Sequence, residues 1–167
     1  MTVVQRKVCM LGATAVGKTS LVRRFVESMF SEKYQATIGV KIDRKLVEMA
    51  DTTVSLLLWD LQGEDEFQRV RLSYLRGASG LIFVADGTRP DTLLTTRVLR
   101  AEAEETVGRV PCLLFVNKSD LTDAWALDDA FLGSNAPADV DTFRTSARTG
   151  DQVEAGFHHL VCRMLAP

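Results

Sequence analysis

The stretch GATAVGKTS, residues 12–20, spaces two glycines, a lysine and a hydroxyl residue as GxxxxGK[ST], where an apolar run gives way to a helical pattern. That combination captures anions. Backbone N–H groups of Ala15, Val16, Gly17, Lys18, Thr19 and Ser20 curl around phosphates at a helix N-terminus, and glycine permits the close approach. Lys18 reaches the terminal phosphates, and the Thr19 hydroxyl is suited to Mg²⁺. Asp60 ends a second apolar run, VSLLLW, and Gly63 follows it. At a strand end such a carboxylate can hold Mg²⁺ through water, while the Gly63 N–H donates to a terminal phosphate oxygen. A third run ends in NKSD, residues 117–120. The Asp120 carboxylate can accept from the ring N–H and exocyclic amine of guanine. Adenine offers neither donor there, so the carboxylate would be desolvated without a partner, and discrimination follows. In SAR, residues 146–148, backbone N–H groups can bond the guanine carbonyl.

These stretches need elements that bring them together. KVCMLG has the chemistry of a buried strand, and Leu21, Val22, Phe25, Val26 and Met29 then recur on one helical face. VKIDRKLVEM and VSLLLWD flank ADTT and suggest a hairpin. Strands at 80–86 and 110–117, helices at 91–107, 127–132 and 151–165, and a weak strand at 141–145 complete the pattern. Apolar strands alternating with helices predict one α/β domain over residues 1–167, with a mainly parallel sheet covered on both faces. Ligands of such sheets lie beyond the carboxyl ends of the strands, where each of these motifs begins.

Composition narrows the class. A chain of 167 residues with net charge −2 and a pI near 5.7 has no basic surplus for nucleic acid or anionic membrane. Cys9, Cys112 and Cys162 lack CxxC spacing, and the first two lie in apolar runs as buried thiols would. No stretch approaches a membrane span or a signal peptide, and Thr2 and the terminal HLVCRMLAP fit neither myristoylation nor prenylation. The expectation is a cytoplasmic chain with no direct membrane anchor; its oligomeric state is open. His158 and His159 are neighbours on a helix and so point apart, Arg23 and Arg24 are assigned to a solvated face, and Trp59 to the core.

In this order the four motifs resemble the Ras superfamily of small GTPases, over nearly the whole chain. The resemblance implies a P-loop GTPase fold: a six-stranded mostly parallel sheet, its second strand antiparallel, five helices on its two faces, and GTP or GDP with Mg²⁺ as ligand. It implies that Phe30 packs on the guanine edge, that Tyr34 closes over the phosphates, and that Thr37 binds Mg²⁺ only in the triphosphate state. Asn117, Lys118, Asp120, Ser146, Ala147 and Arg148 carry over as the base pocket, with Arg148 where lysine is usual. Protein effectors and regulators are expected to dock through residues 31–40 and 61–76. The missing lipidation signals favour a soluble prokaryotic Ras-like GTPase or a Roc-like domain from a larger chain.

One departure bears on catalysis. The usual Asp-Thr-Ala-Gly-Gln is here Asp60-Leu61-Gln62-Gly63-Glu64, so a carboxylate stands where a glutamine orients the attacking water. Glu64 and Gln62 are both candidate water-positioners. Beside a triphosphate the pKa of Glu64 should rise, and once protonated it regains the donor that glutamine has. Thr14 stands where a partner's arginine would enter. The expected function is a slow GTP-hydrolysing switch; the alternative is a GTP-binding interaction module that barely hydrolyses. NKSD argues against an ATPase or kinase.

Overall fold

The structure is a computed structural model and describes residues 2–63 and 72–167. Strand β1 (Thr2–Gly12) runs into the glycine loop, and helix α1 (Lys18–Glu27) follows. β2 (Val40–Glu48) and β3 (Thr52–Leu61) form the expected hairpin. After a 3₁₀ turn at Leu72–Leu75 come β4 (Gly80–Asp86), α2 (Pro90–Val107), β5 (Cys112–Asn117), α3 (Asp129–Asn135), β6 (Asp141–Arg144) and α4 (Val153–Leu165). The sheet order is β2-β3-β1-β4-β5-β6; β2 is antiparallel to β3 and every other pairing is parallel.

Alternation along the central strands explains the layers. In β1, Val8 and Met10 join one core with Leu21, Val22 and Phe25 of α1 and Phe157 and Leu160 of α4. Cys9 and Leu11 join the other, with Leu93 and Leu99 of α2 and Leu132 of α3. Because both faces are covered, the strands are continuously apolar rather than alternating in polarity. Phe25 stacks on Phe157 at 4.2 Å between centroids, and Phe115 of β5 meets Phe157 edge-on at 5.5 Å. This stack fixes the helix after the glycine loop to the sheet, and each ring contributes about 2–3 kcal/mol through burial.

Several expectations are corrected. Among the described residues there are four α-helices, not five. The helix that the resemblance implies after Gly63 falls largely on residues 64–71, outside the described residues. α1 ends at Glu27 because Ser28 takes a left-handed conformation (φ 56°) and caps the Arg24 carbonyl with its N–H, which leaves Met29 exposed rather than on the core face. The short helix begins at Asp129, not 127, because the Asp128 side chain accepts from the Phe131 N–H at 2.7 Å and sets the first turn. Cys9 is buried and Cys112, first in its strand, only partly so. Trp59 is partly buried, covered on one face by the Lys7 ammonium 3.5 Å from its ring centroid.

Candidate nucleotide site

β1, β3 and β5 end in Gly12, Leu61 and Asn117, and the loops leaving them border one cavity of about 370 Å³. Its size suits a small ligand. The glycine loop, Lys18 and Thr19 line one end; Asn117, Lys118, Asp120, Ala147 and Arg148 line the other; Phe30, Tyr34 and Thr37 form a wall between.

At the first end, Lys18 is buried, and its Nζ donates to the carbonyls of Gly12 at 3.1 Å and Ala13 at 3.0 Å. Burial pushes its ammonium pKa down to about 8, with Arg89 reinforcing the shift and the Asp60 charge opposing it. Gly17 has φ 105°, and a side chain on it would collide with the Asn117 amide, so only glycine lets the loop close against the base motif. Gly63 is under a similar constraint: an added Cβ would lie 2.7 Å from Thr14 Cα and 2.8 Å from Thr14 N.

Three oxygen-bearing side chains meet beside Lys18. The Thr19 and Thr37 hydroxyls are 2.7 Å apart. Thr19 donates to Asp60 Oδ2, and Thr37 approaches the same oxygen at 3.4 Å. Asp60 is fully buried. Burial raises its pKa, opposed by the Thr19 hydrogen bond and the Lys18 charge. Its Oδ1 is buried with no hydrogen-bond partner among the described residues. A carboxylate oxygen left unsatisfied beside two hydroxyls fits a hydrated, oxygen-seeking cation, and Mg²⁺ is of that kind.

At the other end, Asn117 Oδ1 accepts from the Ala147 N–H at 3.2 Å and the Thr145 hydroxyl at 3.1 Å, while its Nδ2 donates to the Val16 carbonyl at 3.0 Å. Lys118 donates to the Ala15 carbonyl at 2.9 Å and pairs with Asp86 at 2.8 Å. Asp120 Oδ1 accepts from the Ser146 hydroxyl at 2.8 Å. The base motif is thus tied to the glycine loop and to the 145–148 turn. Arg148 reaches out to Glu32 at 3.5 Å, across the mouth of the cavity.

The remaining wall is loosely held. Tyr34 is exposed, Phe30 borders on it, and Ile38 is 90% exposed. Gln62 is partly buried: its N–H donates to the Gly39 carbonyl at 2.8 Å, and its Oε1 accepts from the Gly39 N–H at 3.1 Å. Glu64 lies outside the described residues.

Three residues that sequence reasoning passed over belong to this site. Arg24, assigned to a solvated face, donates through Nε to the Ala147 carbonyl at 2.8 Å and through Nη2 to that of Arg148. It carries the base turn on the helix that starts at the glycine loop. Asp86 and Arg89 form the third tie: Arg89 Nε meets Asp86 at 3.2 Å and its Nη2 donates to the Thr14 carbonyl at 2.7 Å. Burial pushes the Asp86 carboxyl up, but hydrogen bonds from Lys118 and Thr88 and the Lys118 charge outweigh it and hold the pKa below the usual range. The available signal was position: Asp86 ends GLIFVAD just as Asp60 and Asn117 end their runs. His159 pairs with Asp141 at 2.7 Å, away from this site, and forms no pair with His158.

The glycine loop, the Thr19–Thr37–Asp60 corner and the NKSD loop, gathered at the carboxyl edge of this sheet, have the arrangement of a Ras-like small-GTPase domain. The sequence model of the Ras family matches residues 7–166, and the chain belongs to that family. It is 30% identical over 167 residues to the human "Ras-related protein Rab-7b", covering 98% of this chain and 84% of that protein. It is 33% identical over 153 residues to the "GTP-binding protein ypt1" of Schizosaccharomyces pombe, covering 90% and 75% respectively. Members of this family are GTP-binding switch GTPases. Among the described residues no helix is long and apolar enough to cross a membrane.

Proposed function

We propose that this chain binds GTP and GDP with Mg²⁺, hydrolyses GTP slowly on its own, and uses the state of residues 31–40 and 61–76 to control protein partners. The observation that carries the reading is the 2.7 Å approach of the Thr37 hydroxyl to that of Thr19, both facing Asp60. Thr37 lies in an exposed loop, whereas Thr19 and Asp60 are rooted in the sheet edge. A ligand that engages all three draws the loop inward, and its loss frees the loop. Exposed Tyr34, Ile38 and Ile42 along that loop and the strand after it offer apolar surface whose presentation changes with it.

Within this reading, Asp120 selects guanine, Lys18 and the amides of residues 15–20 hold the phosphates, and Thr19, Thr37 and Asp60 hold the cation. Bound Mg²⁺ would neutralise phosphate charge. Phe30 and Tyr34 cover the nucleotide. Glu64 acts in its protonated form, donating to phosphoryl oxygens and accepting from water. The engagement of the Gln62 amide with Gly39 favours Glu64 over Gln62 for that task.

Single-turnover hydrolysis of GTP across pH tests this assignment. A rate that climbs as pH falls, with Glu64→Gln flattening the profile, is the expected result. A steep loss in Gln62→Ala with Glu64→Ala near wild type would reverse the two roles. The packing of Gly63 against the Thr14 backbone leaves little room for an arginine from a partner and supports the second reading, a binding module that barely hydrolyses; no turnover at any pH would favour it.

A further inference from the structure

Three consecutive carbonyls of the glycine loop are each held by a different side chain. Arg89 Nη2 takes Thr14 O at 2.7 Å, Lys118 Nζ takes Ala15 O at 2.9 Å, and Asn117 Nδ2 takes Val16 O at 3.0 Å. In a planar trans peptide, the carbonyl of one residue and the N–H of the next point in opposite directions. Fixing the carbonyls of residues 14, 15 and 16 on these side chains therefore turns the N–H groups of Ala15, Val16 and Gly17 to the opposite side, the side assigned to phosphate in the nucleotide reading. Asn117 and Lys118 belong to the base motif. Arg89 belongs to no motif in the sequence.

Its geometry is nonetheless specific. Asp86 is only 1% exposed, and its Oδ2 receives both Arg89 at 3.2 Å and Lys118 at 2.8 Å. One buried carboxylate thus anchors two cations, and these clamp adjacent carbonyls. Thr88 satisfies the other oxygen of Asp86 with its N–H at 2.8 Å and its hydroxyl at 2.7 Å, which orients the carboxylate. The clamp also acts where the loop resists its own shape. Ala15 has φ 63°, a left-handed conformation that a Cβ disfavours. Without an external hold, the 14–15 peptide gains by rotating, and rotation would turn a carbonyl dipole toward the phosphates.

We infer that Arg89 is a positioning residue of the phosphate loop: anchored on Asp86, it holds the Thr14 carbonyl and so aims the Ala15 amide at the bound nucleotide's phosphate chain. The inference rests on the nucleotide reading above. The guanidinium divides the task between two atoms, Nε addressing Asp86 and Nη2 addressing Thr14, whereas Lys118 serves both of its partners from one Nζ.

The test uses full-length protein loaded with GDP and Mg²⁺ and follows the Ala15 amide by ¹H–¹⁵N spectroscopy and the β-phosphate of GDP by ³¹P spectroscopy. In Arg89→Gln both resonances are expected to move toward their non-hydrogen-bonded positions, and GDP release should quicken on the order of tenfold. Arg89→Lys, a milder change that keeps the charge, should shift both part of the way. A loss of thermal stability alone, with both resonances in their wild-type positions in either variant, would overturn the inference. Wild-type protein that gives no bound-GDP resonance would overturn the nucleotide reading instead.

Discussion

The two walls of the cavity are built by different rules. On the base side, Asn117, Lys118 and Arg24 bond backbone groups of other segments, and the buried Asp86 carboxylate anchors Lys118. On the opposite side, residues 30–39 form no regular element, and among the described residues the loop's Thr37 is held through hydroxyl and carboxylate contacts with Thr19 and Asp60. The first wall exists before a ligand arrives, and recognition there carries little ordering cost. The second depends on what fills the corner between Thr19 and Asp60. On the proposed function, selectivity belongs to the fixed wall and state-sensing to the conditional one.

The largest effect expected from this contrast lies on the fixed wall. Asp120→Asn exchanges an acceptor for an amide and should cost guanine-nucleotide affinity on the order of 10³-fold or more while raising that for xanthine nucleotides. Calorimetry that finds equal ATP and GTP affinities in the wild type would remove the basis of the contrast.

A smaller effect concerns Lys18. Its pKa in the free protein is pushed down to about 8, whereas a bound phosphate chain favours the ammonium and raises it. Binding above that pH must take up a proton. GDP affinity should be level up to about pH 8 and then fall by at most about tenfold per unit. A fluorescent-GDP titration that stays flat from pH 7 to 9 would show that the ammonium is not the group bound.

The smallest change in affinity should come from the conditional wall. Thr37→Ala is expected to leave GDP binding nearly intact and to abolish the extra hydrogen-exchange protection of residues 31–40 that a GTP analogue confers. Equal protection in mutant and wild type would place the sensing function elsewhere.

The fixed wall was only half legible in the sequence, for a physical reason. Lys18, Asp60 and Asn117–Asp120 announce themselves because contiguous residue types at strand ends must meet ligand chemistry. Arg24 and Arg89 act on carbonyls of distant segments, Asp86 acts through Arg89 and Lys118, and a carbonyl acceptor leaves no trace in residue identity. An arginine after an apolar helix face looks solvated until the chain is folded. The mainly parallel sheet was accessible from the alternation of apolar runs with helical patterns; its antiparallel second strand came with the family resemblance, and the strand order with the structure. The end of α1 was not, because Ser28 in a left-handed conformation is a weak stop signal and Met29 continues the helical spacing.

The two hydrogen bonds between Gly39 and Gln62 have a consequence of a mechanical kind. The β2–β3 ladder ends at the pair Val40 and Leu61, and the Gly39–Gln62 contact adds one more rung, half backbone and half side chain. Ladders fray from their open end. Any partner that peels the 31–39 loop away therefore works on the terminal rung of a zipper whose other strand leads straight to Gly63. The loop before the hairpin and the loop after it part at the same rung, so force applied to one is delivered to the other without passing through the nucleotide.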